Sequence, residues 1–578
     1  MKVLLLAVNA SYMHTNIAIR YLKNYAQKFL AKETNLLPEI QILEFTINQP
    51  YLEVLRGIEF FKPDLILFST YIWNATYICN IIPDVKKILA NSIIGAGGPE
   101  FSYSSEKYLN SLQSLDFIIN GEGELTFTEI LKTFSCAEDF FADKKNDSKL
   151  LSKIKGLTFR KSSEIIFTGF RQMIENLDDL PFTYPEILQG NFDPDNKIYY
   201  YESNRGCPFS CSYCLSSVDK SVRFKSLEKV KSELQIFLDA NVKLVKFVDR
   251  TFNLKPERYI KIWQFILENH NGKTMFHFEI EAEFLTDEAL NFLQKVPKGI
   301  MQFEIGIQSS NRKTLQTINR SANLETLSKN ILNIPKTIHQ HLDLIAGLPF
   351  ENLESFGKSY DFVAKLNPDA LQLGFLKVLP GTQMEKFAKQ NNWQWMENPV
   401  YETFSTPYIS FDEMIYLKDV ETVTDFFWNK HIFDFSAKYI FRKMSPWTFI
   451  TNLTNFARTK NAFSQARKDS YWFELYSEFI NQKPLAENLK SLEQNLLVDL
   501  LRYDFILTGK KGNFPTWYKH IYSKQNHIKL LEEKSLLHNN RLAFANSEYE
   551  EFDFDVKNEF PENHKIKTAI LIQYNQPK

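Results

Sequence analysis

Three cysteines, Cys207, Cys211 and Cys214, stand at C-x3-C-x2-C spacing in the stretch YYYESNRGCPFSCSYC. An apolar, aromatic run before them predicts a strand, and the Gly-Cys-Pro sequence predicts a turn. Structural zinc requires four ligands, but the other two cysteines, Cys79 and Cys136, lie far upstream and no histidine lies within the loop. Three thiolates suit a four-iron–four-sulfur cluster better, because cluster irons are held by cysteine. One iron would then stay open to an outside group, so the loop is a place for chemistry.

The same motif, with the aromatic Tyr213 directly before its last cysteine, resembles that of the radical S-adenosylmethionine (SAM) enzymes. The resemblance implies that the amino and carboxylate groups of SAM chelate the open iron of a 4Fe–4S cluster. An electron from the cluster would cleave the sulfonium and give a 5′-deoxyadenosyl radical, which abstracts hydrogen from a substrate. We therefore expect a reductant protein of the flavodoxin or ferredoxin type as a partner.

Length and composition limit the remaining possibilities. A chain of 578 residues is too long for one hydrophobic core, so we expect two to four domains. Its 68 basic and 69 acidic residues nearly cancel, which argues against a nucleic-acid partner. Five cysteines, three of them clustered, suit the reducing cytoplasm. Since no run of 18 apolar residues occurs, we expect no membrane span, and the opening MKVLLLAVNA predicts a buried strand.

Residues 1–150 alternate strand and helix patterns. Strands that are apolar throughout predict an α/β fold with a Rossmann-like, doubly wound parallel sheet, which binds ligands at the carboxyl ends of its strands. The sequences GGPE at 97–100 and GEGE at 121–124 make this region resemble the cobalamin-binding domain in front of many radical SAM domains. The resemblance implies a cobalamin site that contains His14, Ser69, Gly97, Gly98, Gly121 and Glu122.

His14 has two interpretations. Histidine-ligated members of this family have an Asp-x-His-x-x-Gly motif after the first strand, and its histidine is the lower axial ligand of cobalt. Here Tyr12 and Ile17 stand at the aspartate and glycine positions. His14 is therefore either this axial ligand or a hydrogen-bonding loop residue. The alternative for the whole domain is a Rossmann-like unit that has lost its ligand.

A short region follows this domain. The charged segment 138–150 predicts a surface loop or boundary, and the runs Ile154–Phe159 and Ile165–Phe170 flank a KSSE sequence typical of a hairpin. Pro181 and Pro185 stiffen the chain after the hairpin. We therefore expect residues 151–195 to form a hairpin and a proline-rich linker.

From 196 to 420 the strand–helix alternation repeats six times. Six such units predict a radical SAM core built as a partial (β/α)6 barrel, with catalytic residues at the carboxyl ends of its strands. The strands are expected at Ile198–Ser203, Leu244–Asp249, Met275–Glu281, Met301–Ile307, Leu342–Ala346 and Leu371–Val378.

Polar residues stand within these strands and at their ends. A carboxylate inside an apolar strand, such as Glu304 in FEIGIQS, is costly to bury unless a cation or a hydroxyl-rich ligand pairs with it. FEIGIQSSNRKTLQTINR is similar to the radical SAM segment that lines the SAM pocket, and LDLIAGLPFE resembles a later glycine-containing motif of that family. The alternative for Glu304 is a salt bridge to a neighbouring strand, and Asp249, Glu281 and Arg320 also have structural alternatives. The predicted SAM-binding residues are Tyr213, Asp249, Glu281, Glu304, Gln308, Arg320 and Gly347.

The pattern changes from 421 to 578. Helical spacing at Val420–Tyr439, Trp472–Ile480 and Leu485–Tyr503 predicts a mostly helical domain of unknown role. Its dense aromatic residues are expected to form a core or, alternatively, to line a substrate cavity. The alternating run Lys567–Tyr574 predicts an edge strand.

Together these features indicate a cytoplasmic, cobalamin-dependent radical SAM enzyme that methylates or rearranges an unactivated carbon of an unknown substrate. One alternative is a radical SAM enzyme of the tRNA-thiolating kind, which needs a further cysteine-bearing domain and a basic RNA-binding appendage. The sequence shows no clear sign of either. A non-catalytic zinc or iron–sulfur scaffold is the second alternative.

Overall fold

The computed structural model describes residues 1–32, 37–135, 150–217, 220–320, 323–482, 485, 489–509, 514–533, 547–557 and 567–573. The charged segment predicted as a boundary loop, 138–150, lies outside these ranges except for its last residue. Among the helices in these ranges, none combines the length and the hydrophobicity that a membrane-spanning segment requires.

A seven-stranded sheet forms the N-terminal part. Its strands are β1 (Lys2–Asn9), β2 (Glu39–Thr46), β3 (Leu65–Ser69), β4 (Ile93–Gly97), β5 (Phe117–Ile119), β6 (Leu157–Lys161) and β7 (Glu164–Phe167). Its helices are α1 (Ile17–Leu30), α2 (Tyr51–Phe61), α3 (Ala75–Ile88), α4 (Pro99–Ser102), α5 (Ser105–Ser111) and α6 (Glu124–Ser135). The strand order is β2-β1-β3-β4-β5-β6-β7, with the first five strands parallel.

Both faces of this N-terminal sheet are buried. Along β1, Val3 and Leu5 pack with α1 and α6, whereas Leu4 and Leu6 pack on the opposite side with α2 and α3. Helices therefore cover both faces, which explains why the strand is apolar throughout. The predicted doubly wound sheet is confirmed.

The predicted hairpin belongs to this sheet and not to a linker. β6 pairs antiparallel with β5, and β7 pairs antiparallel with β6. Asn120 N also donates a hydrogen bond to Gly156 O at 2.8 Å. The hydrogen-bonded N-terminal unit thus extends to Phe167, past the boundary at 150 expected from sequence. A 3₁₀ turn (Leu177–Asp179) and the short helix α7 (Pro185–Leu188) follow.

A second, central sheet follows, with six parallel strands. They are β8 (Ile198–Tyr201), β11 (Leu244–Phe247), β12 (Met275–Glu279), β13 (Met301–Gln308), β14 (His339–Ala346) and β15 (Ala370–Phe375), and they pair in this order. The short strands β9 (Asn204–Arg205) and β10 (Arg223–Phe224) pair with each other. The helices are α8 (Leu227–Asp239), α9 (Pro256–Glu268), α10 (Asp287–Leu293), α11 (Arg312–Thr317), α12 (Leu324–Asn333), α13 (Leu353–Lys365) and α14 (Gln383–Gln390). Six parallel strands with helices between them confirm the predicted partial barrel.

The two faces of the central sheet differ. In β13 the odd-numbered residues from Met301 to Ile307 are buried against helices, whereas the even-numbered residues from Gln302 to Gln308 are half-buried. We call the face of the even-numbered residues the inner face. It carries polar side chains from neighbouring strands, namely Lys246, His277, Glu304, His341 and Asp343.

Both edges of the central sheet are bonded to other parts of the chain. At β8, Ile198 N donates to Met13 O (2.8 Å) in the loop after β1. At β15, the side-chain amide of Asn429 accepts from Leu371 N (2.9 Å) and donates to Leu371 O (3.1 Å). An open strand edge invites pairing with another chain, so these bonds both protect it and hold the flanking regions in place.

The C-terminal region is mostly helical. After the small pair β16 (Gln394–Trp395) and β17 (Thr403–Ser405), its helices are α15 (Phe411–Thr424), α16 (Asp434–Ile440), α17 (Pro446–Thr459), α18 (Asp469–Ile480), α19 (Ser491–Leu507) and α20 (Lys524–Glu533). Strands β18 (Ser547–Phe552) and β19 (Thr568–Gln573) pair antiparallel. The single helix predicted at Val420–Tyr439 is broken, because a π-helical turn, Asp425–Asn429, separates α15 from α16.

The aromatic residues of this region form a core, as predicted. Phe427, Trp472 and Tyr476 are buried in the same continuous core as Phe303 of the central sheet. The expected domain boundary at 421 falls inside α15, so the C-terminal helices and the central sheet fold around a shared core.

Candidate functional site

The cysteine loop is fixed at the carboxyl end of the central sheet, as predicted. Ser212 N donates to Ile318 O (3.0 Å) at the end of α11, and Met384 N in α14 donates to Ser212 O (2.8 Å). Cys214 N donates to Cys211 O (3.1 Å) and closes a turn. Two helices therefore hold the loop on either side of Ser212.

The three thiols lie close to one another and to a cation. Cys207 and Cys211 are buried, and Cys214 is half-buried. Burial raises the pKa of Cys207 and of Cys211, and the Arg320 guanidinium opposes this rise at Cys211. Thiols beside a cation that offsets their negative charge fit the donor set of an iron–sulfur cluster. Within the described ranges, no three His, Cys, Asp or Glu side chains are arranged to hold a single metal ion.

Arg320 connects the cysteine loop to the strand ends. Its charge acts on both Cys211 and Tyr213. Its Nη2 donates to Glu281 Oε2 (2.7 Å) and to Gly306 O (2.6 Å). A charge-assisted bond of this kind fixes the guanidinium next to the thiols.

Two buried acceptor atoms near Arg320 have no hydrogen-bond partner among the described residues: Glu281 Oε1 and Gln308 Oε1. Gln308 has a left-handed φ of 69°, and its side chain folds over Gly306. Unpaired buried acceptors are rare, so these two fit a ligand with ammonium or hydroxyl donors, and SAM carries both. The structure thus brings together four of the predicted SAM-binding residues, which are Tyr213, Glu281, Gln308 and Arg320.

Asp249 has several hydrogen-bond partners within the protein. Its fully buried carboxylate accepts from Ser203 N (2.7 Å), Ser203 Oγ (2.5 Å), Asn204 N (3.1 Å) and Asn204 Nδ2 (2.9 Å). Both oxygens accept hydrogen bonds from the protein itself, which is the structural alternative considered for Asp249. The carboxylate positions the chain that leads to Cys207.

Glu304 and Gly347 also have close neighbours within the protein. Glu304 Oε2 accepts from Lys246 Nζ (3.0 Å) and pairs with His277 Nε2 (2.9 Å), which lowers the pKa of Glu304 to about 2. The salt bridge to neighbouring strands, the alternative considered for Glu304, is therefore the observed arrangement. Gly347 adopts a φ of 86° and packs beside Met414 of α15.

The N-terminal sheet meets the cysteine loop through two arginines. Arg205 and Arg223 lie opposite each other on β9 and β10. Arg205 Nη2 contacts Glu124 (2.9 Å), and Arg223 Nη2 contacts Glu122 (2.7 Å). Glu122, predicted as a cobalamin-binding residue, is thus part of a latch between the two sheets. Because Arg205 stands two positions before Cys207, the latch sets the carboxyl edge of the N-terminal sheet against the cysteine loop.

Three other predicted cobalamin-binding residues are in close contact with the rest of the protein. Ser69 Oγ accepts from Asn16 Nδ2 (3.1 Å), and a side chain at Gly98, where φ is 113°, would collide with the Thr70 carbonyl. His14 Nδ1 lies 2.6 Å from Tyr200 Oη of β8.

Gly97 and Gly121 remain as the predicted close-approach positions. A side-chain carbon at Gly121, where φ is 75°, would meet nothing within 4 Å in the described structure.

An exposed apolar rim surrounds the same edge, and the sequence analysis missed it. We define the rim as Tyr12 (62% exposed), Met13 (53%), Trp73 (43%) and Tyr103 (41%). The first three lie in the loops after β1 and β3, and Tyr103 follows α4. Exposed rings along one sheet edge favour a ligand, and a broad flat ring system such as a corrin would cover them. The signal was an aromatic residue in the loops after β1 and β3, but exposure is not visible in sequence.

Comparisons with known families agree with this architecture. Residues 3–131 match a family described as B12 binding domain, and residues 201–363 match the radical SAM superfamily. Residues 389–572 match a family described as protein of unknown function (DUF4080).

Two curated relatives and one solved structure are informative. The chain is 25% identical over 353 residues to an uncharacterized methyltransferase of Pyrococcus horikoshii, which covers 59% of this chain and 72% of the relative. It is 24% identical over 356 residues to the cobalamin-dependent radical SAM methyltransferase TokK of Streptomyces tokunonensis, covering 58% of this chain but only half of TokK. It shares the fold of the cobalamin-dependent SAM radical enzyme OxsB with aqua-cobalamin bound (TM-score 0.57, 15% identity, 89% of this chain and 82% of OxsB).

The N-terminal sheet belongs to a B12-binding domain, and the six-stranded sheet with its three-cysteine loop belongs to a radical SAM domain. The protein is therefore a radical SAM enzyme with a second cofactor domain. The chain belongs to the radical SAM proteins that contain a cobalamin-binding domain.

Proposed function

We propose that this radical SAM enzyme methylates an unactivated carbon of a small molecule with the help of cobalamin. The observation that carries the proposal is that the ligand edges of the two sheets face each other. The arginine latch joins Glu122 and Glu124 to the segment before Cys207. Burial raises the pKa of Tyr71, in the loop after β3, and the charge of Arg250 at the end of β11 opposes that rise. Ligands bound at the two edges would therefore share one space between the sheets.

Each part of the site has a defined task in this proposal. Cys207, Cys211 and Cys214 hold the cluster, and Arg320 offsets its negative charge. Glu281 and Gln308 orient SAM by accepting hydrogen bonds from its ammonium or hydroxyl groups. When bound, the cluster supplies the electron that cleaves SAM, and cobalamin supplies the chemistry of methyl transfer.

The N-terminal residues would hold cobalamin by packing and not by a cobalt–histidine bond. The apolar rim would cover the ring system of cobalamin, and the open space beside Gly121 would let the ligand approach the backbone. His14 hydrogen-bonds to Tyr200 of β8, and we attribute to it a role in the contact between the two sheets. Axial ligation by His14 is therefore not part of the proposal.

The test identifies what becomes of SAM. The full chain is purified without air, loaded with cluster and cobalamin, and mixed with SAM, dithionite in place of the protein reductant, and a small-molecule cell extract as the substrate source. We expect 5′-deoxyadenosine, and in addition S-adenosylhomocysteine, because a second SAM gives up its methyl group. Mass spectrometry measures both products, and omission of cobalamin should remove only the S-adenosylhomocysteine.

Two results would contradict the proposal. Deoxyadenosine without S-adenosylhomocysteine in the loaded enzyme would indicate rearrangement or ring formation in place of methylation. Absence of deoxyadenosine would exclude SAM cleavage and return the chain to the scaffold alternative.

A further inference from the structure

A cavity of about 640 Å³ lies between the central sheet and the C-terminal region, and none of the described residues that line it belongs to the cysteine loop. One wall is the inner face of β14, with His339 and His341, and the first four residues of β15. The other wall is formed by the end of α15 and the π-helical turn, including Glu421 and Asp425. The volume is in the usual range of small-molecule sites. None of these residues was predicted to be functional from the sequence.

The wall contributed by the C-terminal region is firmly attached. Asn429 makes two hydrogen bonds to the backbone of Leu371, and Trp428 Nε1 donates to Pro368 O (2.9 Å). The π-helical turn widens the helix where these bonds form, and such turns are frequent at functional sites. The cavity is therefore a built feature of the molecule and not a gap between loose surfaces.

The charge of the cavity favours a cation. Glu421 and Asp425 contribute two carboxyl groups, and no Lys or Arg is found among the described residues that line it. Burial lowers the pKa of His339, and it lowers that of His341 to about 4, so neither imidazole is a cation at neutral pH. The nearby Lys418 is occupied by Glu402 at 2.8 Å. Phosphates and carboxylates would be repelled here, whereas an ammonium group would be attracted.

Asp343 continues this row of acceptors toward the cysteine loop. It is the next inner-face residue of β14 after His341, about 7 Å farther along the strand. Its Oδ1 is buried and has no hydrogen-bond partner in the described part of the chain. Leaving a buried acceptor unpaired costs about 1–3 kcal/mol, and a donor group on a ligand would remove that cost. Asp343 pairs in register with Gln372, which lines the cavity.

We propose that this cavity binds the substrate and that the substrate carries an ammonium group. Glu421 and Asp425 seat the ammonium, and Asp343 accepts a hydrogen bond from a donor group nearer the cysteine loop. The C-terminal region then determines substrate choice, since it supplies both carboxyl groups. The identification as a substrate site rests on the proposed function, whereas the binding of amines does not.

The binding test uses the full chain and three matched sugars: glucosamine, glucose and glucuronate, with cadaverine as a second amine. Saturation-transfer NMR measures binding without SAM or reductant. We expect both amines to bind, glucose to bind about tenfold more weakly than glucosamine, and glucuronate not to bind. If neither amine binds, or if glucuronate binds as well as glucosamine, the proposal is wrong.

Matched variants locate the binding. Glu421→Gln and Asp425→Asn should each weaken glucosamine binding about tenfold, because each removes one carboxylate. Glu474→Gln, an exposed glutamate on α18, is the control and should bind like the parent chain. Unchanged binding in both cavity variants would overturn the assignment. Because no SAM is cleaved in this assay, its failure is distinct from a failure to form deoxyadenosine.

Discussion

The two parallel sheets of this protein are built from the same strand–helix alternation, but they expose different surfaces. In β1, neighbouring residues such as Leu4 and Leu5 are both buried, because helices cover both faces. In β13, Phe303 is buried under helices, whereas its neighbour Glu304 is on the inner face with Lys246 and His277. The first sheet can therefore bind a ligand only at its carboxyl edge. The second can also bind one along its strands.

This difference has an energetic consequence. Charges on the inner face must pair, and the bonds of Glu304 to Lys246 and His277 show how they do. Asp343 Oδ1 has no hydrogen-bond partner among the residues that the structure describes, and Glu304 and Glu279 lie near this carboxyl group. Burial and these two charges raise the pKa of Asp343 to about 8. The carboxyl group of Asp343 thus lowers the stability of the central sheet at a position where a ligand is expected. Both faces of the N-terminal sheet are buried, and its described strands carry no such cost.

The largest expected effect separates the cofactor sites of the two sheets. Cys207→Ala should abolish formation of 5′-deoxyadenosine, because two thiolates cannot hold the cluster with the same open iron. The visible corrin bands should survive gel filtration, since the apolar rim belongs to the other sheet. Cys79→Ala is the matched control, because Cys79 packs beside the N-terminal core, and it should keep SAM cleavage. Loss of the corrin bands in Cys207→Ala would show that the two edges depend on each other.

The next prediction tests the buried faces by truncation. Leu5→Ala and Leu6→Ala should each destabilise β1 by about 2–5 kcal/mol, because both side chains are fully buried. In β13, Phe303→Ala should cost about 3–5 kcal/mol, but Gln302→Ala only about 1 kcal/mol, mostly the hydrogen bond to His341. Hydrogen exchange of peptides from the two strands measures the local opening free energy. Equal costs at Phe303 and Gln302 would contradict the one-sided burial of the central sheet.

A smaller effect is expected at the latch between the sheets. Arg205→Ala leaves Glu122, Glu124 and Glu202 with one cation fewer, and these carboxylates are mostly buried. We expect a loss of about 1–3 kcal/mol and faster proteolysis of the segment at 168–197. The control is Lys87→Ala, which removes an exposed ion pair to Asp84 and should cost less than about 0.5 kcal/mol. Similar proteolysis rates in the two variants would show that the ion pairs of Arg205 do not hold the two sheets together.

The last predictions are opposite pH dependences on the inner face. Because its pairs lower the pKa of Glu304 to about 2, Glu304 stabilises the fold above its ordinary pKa near 4, and that contribution is lost as pH falls toward 2. Because the pKa of Asp343 is raised to about 8, Asp343 costs stability as pH rises from about 4 to 8.

Thermal midpoints measured across this range should therefore show two slopes. Below pH 4, the thermal midpoint of Glu304→Gln should fall less steeply than that of the parent chain. Between pH 5 and 8, the thermal midpoint of Asp343→Asn should rise relative to that of the parent chain. Parallel curves for Asp343→Asn and the parent chain would mean that Asp343 is not destabilised by its neighbours.

Local patterns were sufficient for much of this protein. The cysteine spacing identified the loop, and the strand–helix periodicity placed the first residues of β8, β11, β12 and β13 where the structure has them. Period and spacing are properties of neighbouring residues, so a single sequence contains them.

Partners distant in the chain were decided only by the tertiary structure. Asp249 bonds to residues 45 and 46 positions away, and Glu122 meets Arg223 across 101 positions. No pattern in the sequence distinguishes a carboxylate bound to its own protein from one left for a ligand. Asp343 illustrates the second case, and only the folded arrangement of six strands around it shows that its oxygen has no partner among the described residues. Hydrogen-bond satisfaction is a property of three-dimensional neighbours, and this is why the chemical motif could be identified in advance while the cavity and the latch could not.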